Sequence, residues 1–256
     1  MVKQRETEKL NYEASPRSVF ASRQPRRSIL VAILLLLANP CLGSQIEDCA
    51  AAFAHADYDR ALKACKPPAE KGHTDAQANM GFMYDNARGV KPNHVEAARW
   101  YRLAAAKGHA GSQYHLALMY YKGQGIAQNF TEAAKWYQRA AVQGIAQAQY
   151  QLGLMLENGR GVEKNNAEAA KWYQLAASQG LAGAQFSLGL SYAKGRGVKQ
   201  DTGLSRMWII LAAESGDADA VVIRNVDSKL TTAQDNEVAI KLARECKKRS
   251  LRNCNS

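Results

Sequence analysis

The sequence predicts an all-α fold, a solenoid of helix-turn-helix repeats with a 36-residue period, and three sets of residues carry that prediction. Trp100, Trp136, Trp172 and Trp208 are spaced by 36 residues. The same spacing separates Gly72, Gly108, Gly144, Gly180 and Gly216, and again Gly89, Gly125, Gly161 and Gly197. Three sets held in one register mark an array in which each unit buries its apolar face only by stacking on its neighbours. The bulk composition agrees with a packed chain. Of 256 residues, 46% are hydrophobic and 22% charged, which excludes disorder and collagen-like sequence.

Residues 1–43 read as a leader. Arg26 and Arg27 precede Ile29–Ala38, a ten-residue apolar run closed by Pro40. A bilayer span takes about 20 apolar residues, so the run is too short to cross a membrane and fits a secretory signal peptide. Cleavage is expected before Ser44. Three alternatives stay open: acylation at Cys41, an uncleaved leader acting as an anchor, and a twin-arginine signal through Arg26-Arg27. The leader holds seven basic groups against three acids, so its removal lowers the net charge from +11 to +7. The residual charge shows no basic cluster beyond Lys247, Lys248 and Arg249 at a helix end, where cations complement the helix dipole, and no nucleic-acid partner is expected.

Loss of Cys41 with the leader leaves Cys49, Cys65, Cys246 and Cys254, an even number in an exported chain. Four cysteines allow three pairings, of which proximity favours Cys49–Cys65 and Cys246–Cys254. Zinc is the rival, but CxxC and clustered histidines are absent, so no metal is expected. Residues 44–73 form a worn leading unit, its second helix marked by Asp57-Tyr58-Asp59-Arg60-Ala61-Leu62 and Gly72.

Residues 74–217 hold four full copies. In the second helix of the third copy, Ala169, Trp172, Tyr173, Ala176 and Ala177 recur at helical spacing, forming one apolar stripe. Asn93-x-x-Glu96, Asn129-x-x-Glu132 and Asn165-x-x-Glu168 read as capping boxes, with Asp201-x-x-Leu204 keeping half of one. The first helix of that copy runs from about Ala146 to Asn158. Mid-helix Gly81, Gly153 and Gly189 imply close helix contact, since glycine there costs roughly 1 kcal/mol against alanine; Ala117 holds the position in the second copy. Gly159-Arg160-Gly161-Val162 follows a helix and lacks a third glycine, so it is a helix-ending turn and not a phosphate loop.

The pattern A-x-A-Q-x-x-L-G-x-x-x-x-x-G-x-G-V followed by N-x-x-E-A-A-K-W-Y-x-x-A-A-x-x-G resembles the Sel-1-like repeat, a relative of the tetratricopeptide repeat. The resemblance implies a right-handed α-solenoid whose concave groove receives a protein or peptide partner, with no cofactor. Residues 218–256 are then C-terminal capping helices, the last running from about Thr232 to Arg249.

Candidate groove residues follow from helix geometry. With Leu116 as reference, Ser112 and Tyr120 lie within about 40°, and Tyr114, Leu118 and Tyr121 lie about 140–200° away, on the opposite face. That face carries Tyr114, Tyr150 and Phe186 at the repeat period, joined by Leu118, Leu154 and Leu190. The same aromatics could instead pack between units. Asp85, Tyr121, Glu157 and Ala193 share a variable frame position expected to be exposed, so Tyr121 and Glu157 join the candidate groove.

Catalytic motifs are sparse. His73 and His109 share a frame position, His55, His94 and His115 are scattered, and neither HExxH nor GxSxG occurs. Ser191-Tyr192-Ala193-Lys194 is an SxxK, the outline of a penicillin-recognising serine enzyme. Yet fourteen serines and seventeen lysines produce roughly one such spacing by chance, and SDN and KTG are absent. The expected function is therefore a non-catalytic, monomeric interaction scaffold, periplasmic or secreted, with a weak β-lactam-reactive enzyme using Ser191 and Lys194 as the alternative. Membrane attachment would come only through the leader.

Overall fold

The computed structural model describes residues 40–230, 232–252 and 254. The apolar run Ile29–Ala38 lies outside them. Twelve helices and no strand are present among the described residues: α1 Pro40–Ala54, α2 Tyr58–Glu70, α3 Thr74–Asp85, α4 His94–Ala106, α5 Ala110–Lys122, α6 Phe130–Val142, α7 Ala146–Asn158, α8 Asn166–Ala177, α9 Ala182–Lys194, α10 Thr202–Glu214, α11 Ala218–Leu230 and α12 Ala233–Lys248. From α3 to α10 consecutive helices pack as pairs, and each second helix from α2 to α10 also packs on the first helix of the next unit, which is an α-solenoid. The expected cleavage point before Ser44 falls within α1.

Each turn has a physical cause. Second helices end where Gly72, Gly108, Gly144, Gly180 and Gly216 adopt φ of 83–92°. The following amide then returns to a carbonyl in the helix, as His109 N–H does to Ala104 at 3.2 Å, a Schellman closure. First helices α5, α7 and α9 end on left-handed Gly123, Gly159 and Gly195.

The second glycine of each loop does more than turn. A Cβ on Gly89, Gly125, Gly161 or Gly197 would collide with the backbone of Tyr58, His94, Phe130 or Asn166, the first residue of the preceding unit's second helix. Only a residue without a side chain lets the loop lie against that backbone, so these four glycines set the spacing between units.

Helix starts depart from the expected boxes. Asn129 Oδ1 accepts from Glu132 N–H at 3.0 Å, and Asn93, Asn165 and Asp201 cap in the same way. The Glu does not reach back. The Asn93, Asn129 and Asn165 amides instead donate to Tyr84, Tyr120 and Leu156 carbonyls at the ends of the first helices. Glu96, Glu132 and Glu168 turn to Arg99, Lys135 and the Trp172 indole. Tying the loop to the preceding helix satisfies the amide that a capping box would have used.

Mid-helix glycines sit under rings: a Cβ on Gly81 or Gly153 would lie 2.6 or 2.5 Å from Tyr101 or Tyr173. Ala117 occupies the same place and is fully buried with Tyr137. Past the fourth unit, α11 begins 36 residues after α9, so it is a fifth first helix. Helix α12, capped by Thr232, does not continue the array; it packs on α10, with Ala243, Cys246 and Leu251 entering the core cluster of the last units. Lys247 pairs with Glu214 at 2.6 Å.

Candidate functional site

A ladder of buried glutamines holds the first helices in place. Gln77, Gln113, Gln149 and Gln185 are at most 5% exposed, and each Nε2 donates to a carbonyl near the end of the preceding unit's second helix, at 3.0–3.3 Å. The Oε1 atoms of Gln113 and Gln149 accept from Gln143 and Gln179 at 2.7 and 2.8 Å. The recurrence of glutamine at the repeat period was visible in the sequence, but its role was not assigned, because a polar residue at a buried position is informative only once the facing carbonyl is known.

The ladder presents one face of each first helix. Tyr114, Leu118, Tyr150, Leu154, Phe186 and Leu190 are all half-buried, and Leu116, Ser112 and Met119 are buried. The aromatics lean on their own second helices: Tyr114 and Tyr150 each lie 5.9 Å from Tyr137 and Tyr173, at interplanar angles of 50° and 48°. Tyr150 also lies over Gly183 of the next unit, whose missing Cβ would be 3.2 Å from the ring. The stripe continues beyond the copies recognised in the sequence: Val222 and Val226 on α11 hold the frame positions of Phe186 and Leu190 and are 61% and 54% exposed.

Tyr121 and Glu157 are already engaged, which corrects their expected exposure. Tyr121 packs edge-on to Phe130, and its hydroxyl accepts from Arg160 in the next unit's loop at 2.5 Å. Glu157 accepts from the Tyr173 hydroxyl at 2.7 Å and pairs with Arg196 at 3.6 Å. Asp85, at the same frame position, holds His94 at 2.9 Å. The position thus carries a different contact in each of these three units, within the unit at Asp85 and also across to the next unit at Tyr121 and Glu157.

Burial pushes the phenols of Tyr101, Tyr137 and Tyr173 well above the ordinary range, with Glu157 adding to the effect at Tyr173 and Asp85 at Tyr101. Burial also lowers the pKa of His115, whose ring stacks on Tyr101 at 5.0 Å and 7°. A groove of about 420 Å³ opens here, bordered by Phe53, Phe82, Asp75, Gly111, Tyr101 and His115. None of the eight groove residues expected from the sequence lines it.

Ser191 is 5% exposed and its hydroxyl donates to the Ser187 carbonyl at 2.8 Å, while Lys194 is exposed. The SxxK spacing is thus spent on helix packing. His73 and His109 cap α3 and α5 by accepting from Ala76 and Ser112 amides. No group of three metal-ligating side chains occurs among the described residues. Cys49 lies beside Cys65, with Cα atoms 4.6 Å apart, and Cys246 beside Cys254 at 5.0 Å.

The Sel1 repeat model matches residues 74–109, 110–145, 146–181 and 182–217 without a gap. The chain belongs to the Sel1 repeat family. A Sel1 repeat protein from Oxalobacter formigenes shares 36% identity over 71% of this chain and 73% of its own, with a TM-score of 0.64. The protein c5321, described as a protective antigen present in uropathogenic Escherichia coli strains, displays the same fold with 32% identity over 78% of this chain and a TM-score of 0.70. This chain spans 44% of that protein's length. No curated protein matches. Sel1 repeats generally serve as non-catalytic protein–protein interaction scaffolds, so the face built by the first helices is the part of this solenoid to test for a partner.

Proposed function

We propose that this Sel1 repeat protein is an exported, non-catalytic scaffold that binds a protein or peptide segment along the concave face of its first helices. The observation that carries the reading is the apolar pair that recurs every 36 residues on that face, from Tyr114–Leu118 to Val222–Val226. A continuous half-exposed apolar stripe on a rigid array suits an extended or helical partner, and the core of the array does not need Val222 or Val226. Leu118, Leu154, Leu190 and the rings of Tyr114, Tyr150 and Phe186 form its middle. Tyr121 and Glu157 shape its border through Arg160 and Arg196.

Export is supported by the leader and by the two cysteine pairs, which we assign as disulfides Cys49–Cys65 and Cys246–Cys254 clamping α1 to α2 and the C-terminal tail to α12. The four units they flank contain no cysteine. No helix among the described residues is long and apolar enough to cross a membrane. On the leader and the cysteine pairs, the scaffold is read as working in the periplasm or outside the cell, as a monomer.

The test is capture of partners from envelope extract by the mature chain, repeated with Leu154→Lys, Val222→Lys and Val226→Lys combined. Recovery of the main partner should fall by at least about tenfold while the helical content and thermal midpoint stay near those of the parent. Unchanged recovery would remove the groove assignment. Mass analysis after alkylation should find no free thiol in chain recovered from the periplasm; full alkylation there would remove the disulfide and export reading together.

A further inference from the structure

The repeat shows what belongs in the groove at its N-terminal end. In the second and third units, the tyrosine of the first helix covers the tyrosine of the second: Tyr114 on Tyr137 and Tyr150 on Tyr173, both at 5.9 Å and near 50°. Tyr150 extends onto Gly183 at the start of the following unit. In the first unit the lower half of this arrangement is intact. Tyr101 stands where Tyr137 and Tyr173 stand, and Gly111 stands where Gly183 does. The tyrosine of the first helix is missing, because the position of Tyr114 and Tyr150 is held by Ala78, and His115 of the next unit stacks on Tyr101. The groove of about 420 Å³ opens at that point, with Ala78, Tyr101 and Gly111 in its wall.

The surroundings fit a ring and not a purely aliphatic group. Phe53 and Phe82 meet edge to face at 5.4 Å, and Tyr58 approaches Phe53 at 5.9 Å in the same manner, adding three rings to the lining. His115 is held parallel to Tyr101 and presents an aromatic surface, and burial disfavours its charged form. A further ring meeting such surfaces edge-on or tilted gains beyond its buried area. Tyr101 is 2% exposed and its hydroxyl has no partner among the described residues, unlike the hydroxyl of Tyr173. Asp75 is the one acidic residue of the lining, and it is exposed.

We propose that this groove is a socket for an aromatic side chain supplied in trans, a Tyr or Phe of a partner segment that takes the place Tyr114 and Tyr150 take in their own units, with an adjacent Lys or Arg meeting Asp75. The inference rests on the scaffold reading and names the side chains that its first unit selects. It places specificity at the N-terminal end of the stripe, where the array lacks its own ring, and leaves the later units to add apolar contact.

The experiment is a titration of amide-labelled mature chain with the capped dipeptides acetyl-Tyr-Lys-amide, acetyl-Ala-Lys-amide and acetyl-Tyr-Glu-amide. The tyrosyl-lysine probe should shift the Ala78, Asn79, Gly111 and Ser112 amides, and the other two should bind at least about tenfold more weakly. Ala78→Tyr supplies the ring internally and should abolish those shifts while raising the thermal midpoint. Equal shifts from all three probes, no shift at these amides, or shifts that survive in a folded Ala78→Tyr chain would each overturn the socket. Should Ala78→Tyr fail to fold, the comparison of the three probes on the parent chain decides alone. The Leu154, Val222 and Val226 substitutions should leave the dipeptide shifts in place, so loss of the stripe and loss of the socket are read separately.

Discussion

The two inner glutamines and the two outer ones occupy the same frame position and do not live in the same environment. Gln113 and Gln149 use both ends of the amide, donating to Ala105 and Ala141 and accepting from Gln143 and Gln179. Gln77 and Gln185 keep the first bond, and their buried Oε1 atoms have no partner. The cause lies 30 residues on, where Gln143 and Gln179 are replaced by Lys107 and Ser215. Lys107 turns to the Gly72 carbonyl. A unit's stability therefore depends on the helix end of the same unit as well as on its own core, and the array is best knit in the middle.

Breaking a middle junction should have the largest effect. Gly161→Ala combines a left-handed φ of 72° with a Cβ that meets the Phe130 backbone, so a loss of about 3 kcal/mol or more is expected in urea denaturation followed by circular dichroism. Gly144→Ala has φ of 91° but open space around the Cβ, and should cost only about 1–2 kcal/mol. Equal losses would show that neighbouring backbones do not touch at Gly161.

Next in size is the ladder itself. Gln149→Ala removes two hydrogen bonds, the one to the Ala141 carbonyl, which keeps the Gly144 N–H, and the one from the Gln179 amide, at a cost of about 2 kcal/mol. Gln185→Ala removes one bond together with an oxygen that is already unsatisfied, so about 1 kcal/mol is expected. The comparison is sharpened by Ser215→Gln, which offers Gln185 the donor that Gln179 offers Gln149 and should stabilise the chain by about 1 kcal/mol. A thermal midpoint unmoved by Ser215→Gln would mean that the end of the array cannot close the ladder.

The smallest effect concerns pH at the N-terminal junction. Burial holds the pKa of His115 below its ordinary value, against the opposing influence of Asp85 and with a small added push from His109. The unfolded chain then takes up the proton first. The contribution is fully present above about pH 6.5 and declines as pH falls through that value toward the lower folded pKa. His115→Gln should flatten the urea midpoint between pH 7.5 and 5.5 relative to the parent; a parent midpoint already flat over that range would rule out a buried neutral histidine.

Much of the fold was legible because the period is a one-dimensional signal. The glycines at 72 and its equivalents, the Asn caps and the Trp spacing locate helices and turns without knowledge of any contact. The capping boxes were only half legible: Asn93, Asn129 and Asn165 do cap, but the destination of their own amides is a carbonyl of the previous helix, which spacing does not reveal. Tyr121 and Glu157 read as free because they vary, and variation at a junction looks the same as variation at a surface. The groove went unseen because it is made by an alanine, Ala78, and a missing side chain leaves no positive signal until the rings around it are placed.

By itself, then, the sequence determined the helix pairs, their turns and their family, since these follow from local propensity and from spacing along the chain. Only the tertiary structure decided that α11 is a fifth first helix carrying Val222 and Val226, that α12 leaves the array to cover α10, and that a cavity lies over Tyr101. Those outcomes depend on which side chains meet across units, and the chain's own order does not encode distance through space.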